Sequence, residues 1–333
     1  MPKTLNKTLP KNLTFYEFPV KEEDFKTAVI KGLTKPQKEL SPRFFYDQRG
    51  SDLFEGITRL KEYYPTRVEK KIMDHHAKDI LFVTREHTII IEPGSGNNEK
   101  IAALLNILPQ VKCCIPIEIS GNHLLENSMI LAKNFPKVNI VAVASDYMNP
   151  SIHLHNLVPG YHNPLIFFPG SSIGNYSPNQ VIEVLKQFTH LMRGKGRLLI
   201  GVDLKKDPNI LEKAYNDKEG ITAAFNLNAL YHIKRELALD ELIPVYFEHH
   251  SEYNAELGRI EMHLVSKVEQ QFEIDGTIIH FDQGETIHTE NSYKYTLDEF
   301  VHLASKAGLN LNNYWMDDNE LYSVQLFNHQ PDS

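Results

Sequence analysis

The stretch Thr88–Lys100, TIIIEPGSGNNEK, ends an apolar run in an acid and follows it with two closely spaced glycines and a polar pair. Glycines at such a turn let a backbone approach a ligand, as in cofactor-binding α/β domains. Glu118 ends the next apolar run, about twenty residues after Gly96, where an acid reads a ribose hydroxyl pair. Asp146 ends the third, where a polar group meets a base edge. The third glycine of the dinucleotide fingerprint is missing, and no Gly-Lys-Ser/Thr sequence follows, so no phosphate grip is evident. Glu92 in the turn would repel a pyrophosphate and suits a cation. Gly94, Ser95, Gly96, Glu118 and Asp146 thus point to S-adenosylmethionine, an adenosine carrying a sulfonium and an amino group. The plainer alternative is a tight turn with two helix-capping carboxylates.

Alternating strand and helix patterns position these residues. Strands are expected at Ile89–Glu92, Cys114–Ile119, Asn139–Ala144, Leu165–Phe168 and Arg197–Val202. Helical spacing covers Lys100–Leu108, His123–Asn134 and Pro178–Met192. Such alternation implies a parallel sheet with right-handed crossovers. The flanks differ: residues 14–67 are rich in aromatics and turn formers, 208–240 read as helical, and 258–293 as β. Asp275-Gly276 between strand-like runs signals a hairpin. Thr296 with Glu299 forms a capping box, and Gly308 would end that helix. The expected class is α/β, with a Rossmann-like sheet domain (68–204 plus 294–333) and a second α+β lobe (14–67 plus 205–293).

A chain of 333 residues with net charge -8 offers no attraction for nucleic acid or anionic membrane. The basic stretch around Lys3, Lys7 and Lys11 reads as a solvated tail. No apolar run reaches the length of a membrane span, and no signal-peptide core is present. The two cysteines, Cys113 and Cys114, are adjacent in an apolar run and read as buried thiols of a cytoplasmic protein. His75-His76 and His249-His250 lack zinc-ligand spacing and read as surface residues, so no metal is expected.

Seven motifs in series carry a resemblance. SPRFFYDQRGSDLFEGITRLKEYYPTRVE (41–69), IEPGSGNNEK, FFPGSSIGNYSP (167–178), GVDLKKD (201–207), AYNDKEGITAAFNLN (214–228), RIEMHL (259–264) and GETIHTENSYK (284–294) together resemble the L-histidine Nα-methyltransferases of ergothioneine biosynthesis. The resemblance implies a class I methyltransferase lobe for S-adenosylmethionine and a second lobe for the amino acid, acting as a monomer without metal. It implies that Asn175 grips the substrate α-amino group, with Tyr46 near the amine. It also implies that Tyr63 and Tyr215 bind the carboxylate, that Glu290 and Ser292 read the imidazole, and that Met262 lines that side. Gly94, Gly170, Lys100, Glu118 and Asp146 match cofactor-side positions.

Simple chemistry agrees with those roles. Two phenols supply donors to a carboxylate without a buried charge. A carboxylate and a hydroxyl two residues apart on a strand share a face and can read both imidazole nitrogens. Interfacial tyrosines and a solvated strand face remain the plainer reading. Two positions depart from the family pattern: Pro93 stiffens the loop entry, and Glu118 stands where aspartate is familiar, keeping the charge with longer reach. The reaction expected is in-line attack of the neutral amine on the sulfonium methyl, up to the trimethylated product. Rivals are an N-methyltransferase for another amino acid or an indole derivative, and a catalytically silent binding protein. Glu290 with Ser292 speaks against an indole, which has one donor and no acceptor.

Overall fold

In the computed structural model, which describes residues 3–4, 9–18 and 24–329, the chain forms two compact units. One takes Met1–Lys21, Val68–Leu204 and Tyr295–Ser333; the other takes Glu22–Arg67 and Lys205–Lys294. Elements are numbered in chain order across both. Lys7 lies outside the described residues.

The first unit holds one nine-stranded sheet. Its strands are β1 (Lys3–Thr4), β2 (Leu13–Glu17), β4 (Ile89–Pro93), β5 (Cys113–Glu118), β6 (Asn139–Ala144), β7 (Leu165–Phe168), β8 (Arg197–Asp203), β14 (Leu309–Met316) and β15 (Tyr322–His329). Their order is β1-β2-β6-β5-β4-β7-β8-β15-β14. From β2 to β8 the neighbours run parallel, and β15 is antiparallel to both β8 and β14. β4, β6 and β7 are buried almost throughout, as expected of parallel strands covered on both faces. The covering helices include α4 (Ala77–Thr84), α5 (Glu99–Ile107), α6 (Gly121–Asn134), α7 (Pro178–Met192) and α10 (Leu297–Ser305). Ser177 with Gln180 and Thr296 with Glu299 form capping boxes that start α7 and α10.

The chain steps from β4 outward to β5 and β6, then returns past β4 to β7 and β8. β4 and β7 therefore flank the reversal of strand order, where ligands bind open α/β sheets. Cys113 and Cys114 are both buried and unbridged on β5. The second lobe was expected to start at residue 14, but Leu13–Glu17 pairs in parallel with β6. Asn12 explains the attachment: its side-chain amide donates to the carbonyls of Ala132, Phe135 and Val138 at 3.1, 3.2 and 2.9 Å.

The second unit has a four-stranded sheet in the order β3-β13-β10-β9: β3 (Lys38–Glu39), β9 (Phe247–Asn254), β10 (Arg259–Ser266) and β13 (Thr286–Tyr293). β11 (Gln270–Ile274) and β12 (Thr277–Phe281) form a separate hairpin. Asp275 and Gly276 at its turn have φ of 53° and 79°, the left-handed pair a primed turn requires. Helices α1 (Phe25–Leu33), α2 (Gln48–Arg59), α8 (Pro208–Tyr215) and α9 (Ile221–Glu236) complete it, and α3 (Pro65–His75) runs on into the first unit.

The FFYDQRG and AAFNLN motifs meet here. Asp47 caps α2 through the Gly50 amide and accepts from Arg235 at 2.8 Å, while the Asn228 side chain donates to Asp47 and to the Phe45 carbonyl. A Cβ on Gly50 would stand 1.7 Å from that carbonyl, so no larger residue fits.

Candidate active site

In the first unit, the carboxyl ends of β4, β5, β6 and β7 deliver Glu92-Pro93-Gly94, Glu118, Asp146 and Gly170. Gly94 has φ 68°, a conformation that favours glycine. A Cβ on Gly96 would point into open space. The asparagines after the glycines brace this loop. The Asn98 side chain donates to the Asn127 carbonyl of α6, and Asn127 donates back to the Gly96 carbonyl at 3.2 Å.

The acids differ in environment. Glu92 is 3% exposed beneath the loop, and the Ser95 hydroxyl donates to it at 2.5 Å. Burial pushes its carboxyl up to about 7, against the opposing effects of Ser95 and Lys100. Ser95 therefore faces inward, bracing the loop from below. The half-buried Glu118 accepts from the amides of Ile119 and Ser120 through Oε1, and burial raises its carboxyl above the usual range. Asp146 accepts from the Met148 amide at 2.8 Å through Oδ1. In both, the second carboxylate oxygen has no hydrogen bond among the described residues.

Lys100 is committed to an acid that sequence reading missed. Glu69, 4% exposed on α3, accepts from Lys100 Nζ at 2.8 Å and from the Gly170 amide and Tyr322 hydroxyl at 2.7 Å each. This one carboxylate ties α5, the β7 turn and β15 together. Gly201 leaves the space it needs, since a Cβ there would lie 2.1 Å from Glu69 Oε1 and 2.2 Å from the Tyr322 hydroxyl. Asn175 ends the short 3-10 turn Ser172–Asn175 after β7, with its side chain exposed.

In the second unit, Glu290 and Ser292 share one face of β13. Met262 and Ile260 pair directly opposite them on β10. Met262 and Ser292 are buried, and burial pushes the half-buried Glu290 carboxyl up to about 7, opposed by Lys294. Asn291 and Tyr293 take the other face, where the Tyr293 hydroxyl accepts from Arg259 at 2.6 Å. The Tyr215 hydroxyl, at the end of α8, donates to Ser292 Oγ at 2.8 Å. Lys294, only 2% exposed, donates to Ser292 Oγ at 2.7 Å and to the Tyr215 hydroxyl at 3.2 Å. The expectation of phenols without a buried charge is thus corrected: an ammonium stands beside Tyr215.

Tyr63 packs edge-on to Tyr215, ring centroids 6.2 Å apart. Arg67 fixes the Tyr63 loop by donating to the carbonyls of Leu60, Lys61 and Tyr63. Tyr46 is 48% exposed and packs against Phe45, Phe54 and Phe225.

Residues 25–329 match the family described as histidine-specific methyltransferase, SAM-dependent. The chain belongs to that family. It is 35% identical over 300 residues to the histidine N-alpha-methyltransferase of Mycolicibacterium smegmatis, covering 89% of this chain and 92% of that one. The corresponding protein of Mycobacterium tuberculosis is 35% identical over 303 residues, covering 90% and 92%. Ergothioneine biosynthesis protein 1 of Neurospora crassa is 31% identical over 294 residues, 87% of this chain and 33% of that longer protein. The parallel sheet is accordingly that of an S-adenosylmethionine-dependent methyltransferase.

One histidine reading changes in this methyltransferase. His249 is not a surface residue: its Nε2 donates to the Tyr215 carbonyl at 2.8 Å, and its Nδ1 accepts from Asn226 at 2.8 Å. It helps to anchor the end of α8, and burial lowers its basicity. Strand pairing also gathers Glu261, His263 and His288, with ligand atoms within 4.8 Å of one another. Their sequence spacing gave no hint of this. Arg259 engages the Glu261 carboxylate at 2.8 Å. Among the described residues no helix is long and apolar enough to cross a membrane.

Proposed function

We propose that this methyltransferase moves methyl groups from S-adenosylmethionine to the α-amino nitrogen of L-histidine, through to the trimethylated product, for ergothioneine biosynthesis. The observation that carries this reading is the pairing of Glu290 with Ser292 on one face of β13, opposite Met262. A carboxylate and a hydroxyl match the donor and the acceptor of one imidazole ring. Tyr63 suits the substrate carboxylate, beside the Tyr215 ring whose hydroxyl is committed to Ser292, and Asn175 and Tyr46 suit the amine.

The first unit suits the methyl donor. Glu118 and Asp146 each offer a carboxylate oxygen at a strand end, for ribose hydroxyls and for the adenine edge. Lys100, held by Glu69, braces Gly170 and the rim of that site. Glu92 supplies negative potential under the loop for a cationic ligand. Bound S-adenosylmethionine supplies an activated methyl group, so the protein's task is positioning and exclusion of water, worth about 7–11 kcal/mol at best. The amine attacks as the neutral form. Asn175 can accept an N–H from the free amine and from its partly methylated forms, but a trimethylated nitrogen has no N–H left, which favours release.

The test is a mass assay of purified protein with S-adenosylmethionine and a panel of free amino acids. Histidine should gain three methyl groups in succession. Product from tryptophan but none from histidine would overturn the substrate assignment. Glu290→Ala should weaken histidine binding by roughly 1–3 kcal/mol through the lost imidazole contact; unchanged affinity by calorimetry would remove Glu290 from this role.

A further inference from the structure

Ser292 receives two hydrogen bonds, from the Tyr215 hydroxyl at 2.8 Å and from Lys294 Nζ at 2.7 Å. A hydroxyl oxygen has two acceptor lone pairs and one proton of its own. Both acceptor positions are filled, so the Ser292 proton must be donated elsewhere. Lys294 cannot reverse its part, because an ammonium has three donors and no acceptor. Lys294 also donates to the Tyr215 oxygen at 3.2 Å, and the Tyr215 hydroxyl gives its proton to Ser292. An ammonium buried to 2% exposure is costly unless its donors are used, and these bonds use two of its three.

We infer that Lys294 is a positioning residue that fixes Ser292 as a hydrogen-bond donor, so that Ser292 and Glu290 together select a neutral imidazole ring. The inference rests on the proposed reading of Glu290 and Ser292 as imidazole contacts. It runs against the default. A carboxylate beside an imidazole ordinarily favours the protonated ring, and an uncommitted serine could accept that second N–H. With Ser292 held as a donor, one ring nitrogen must present a lone pair. Among the described residues, the ionisable groups placed around this face are Glu290 on β13, Lys294 just past its end, Tyr215 on α8 and Tyr63 beside it. The device therefore discriminates by ring protonation, and also against rings that have an N–H and no acceptor.

Nitrogen-labelled histidine bound to the wild-type protein with S-adenosylhomocysteine tests this by NMR at neutral pH. One protonated and one unprotonated ring nitrogen are expected. Two protonated nitrogens in the bound ring would overturn the inference while leaving histidine as the substrate. Failure of histidine to bind at all would take down the substrate reading with it. In kinetics, Lys294→Met should raise KM for histidine about tenfold with a smaller change in kcat, the scale of one hydrogen bond. It should also narrow the preference for histidine over its pyrrole analogue by about the same factor. In a Ser292→Ala background, Lys294→Met should add nothing to that preference. An undiminished preference in Lys294→Met, or a further change on the Ser292→Ala background, would show that Lys294 does not act through Ser292.

Discussion

Glu92 and Glu290 share a condition that local sequence does not reveal, since both are carboxyls raised to about 7 by burial. Glu92 starts from an ordinary value of 4.5. The folded protein therefore holds a proton at this site that the unfolded chain has already released between about pH 4.5 and 7. Its contribution to stability falls as pH rises through that window and stays low above it. Glu92→Gln keeps a partner for Ser95 and removes the charge. It should raise stability above pH 7 by on the order of 1–3 kcal/mol, with little change near pH 4.5. Affinity for the cationic methyl donor should fall at the same time. Thermal unfolding at the two ends of the window measures the first effect, and a gain of equal size at both would rule out titration as its cause. Lys294 and Glu69 escaped sequence reading for one reason: the fold brings distant partners to each, Tyr215 to Lys294 and Lys100, Gly170 and Tyr322 to Glu69, and no local pattern marks them.

Elements were more legible. Asn139–Ala144, Leu165–Phe168 and Pro178–Met192 have the bounds their periodicity indicates, and caps explain this for the helix. The Asp-Gly hairpin and the Thr296 capping box likewise carry local signals. The attachment of β2 to the edge of the parallel sheet carries none, because a five-residue strand joining a sheet laid down by residues beyond 88 depends on Asn12 finding three distant carbonyls. The packing of α3, α5, β8 and β15 on Glu69 yields a prediction at this scale. Gly201→Ala should destabilise the protein by roughly 1–3 kcal/mol, because the added methyl collides with Glu69 and Tyr322. It should also weaken cofactor binding by loosening Lys100 and the Gly170 turn. Urea unfolding and donor binding measure the two effects, and wild-type values for both would mean the Glu69 cluster gives way freely.

At the scale of the whole molecule, neither unit is continuous in sequence. Composition and alternation indicated the α/β class, and the motif series indicated the family. That Met262 stands directly opposite Glu290 follows from the pairing of β10 with β13, which no local pattern fixes. The proposed division of labour predicts separate footprints in hydrogen exchange. S-adenosylhomocysteine should slow exchange at the ends of β4, β5 and β6 in the first unit. Histidine, added to that complex, should slow it around Met262 and Glu290–Ser292 in the second. Protection of β4 by histidine alone would contradict the assignment.

The adjacent cysteines have a practical consequence. Both are buried in β5, and burial pushes the Cys113 thiol up to about 12 and the Cys114 thiol well above its ordinary value. Reagents that need a thiolate will pass them by while the fold is intact. The native chain therefore behaves toward electrophilic dyes as if it had no cysteine. A single introduced thiol would be the one labelled, and Ser172→Cys, exposed on the turn that ends in Asn175, would place a reporter where a fluorescence change can follow ligand arrival.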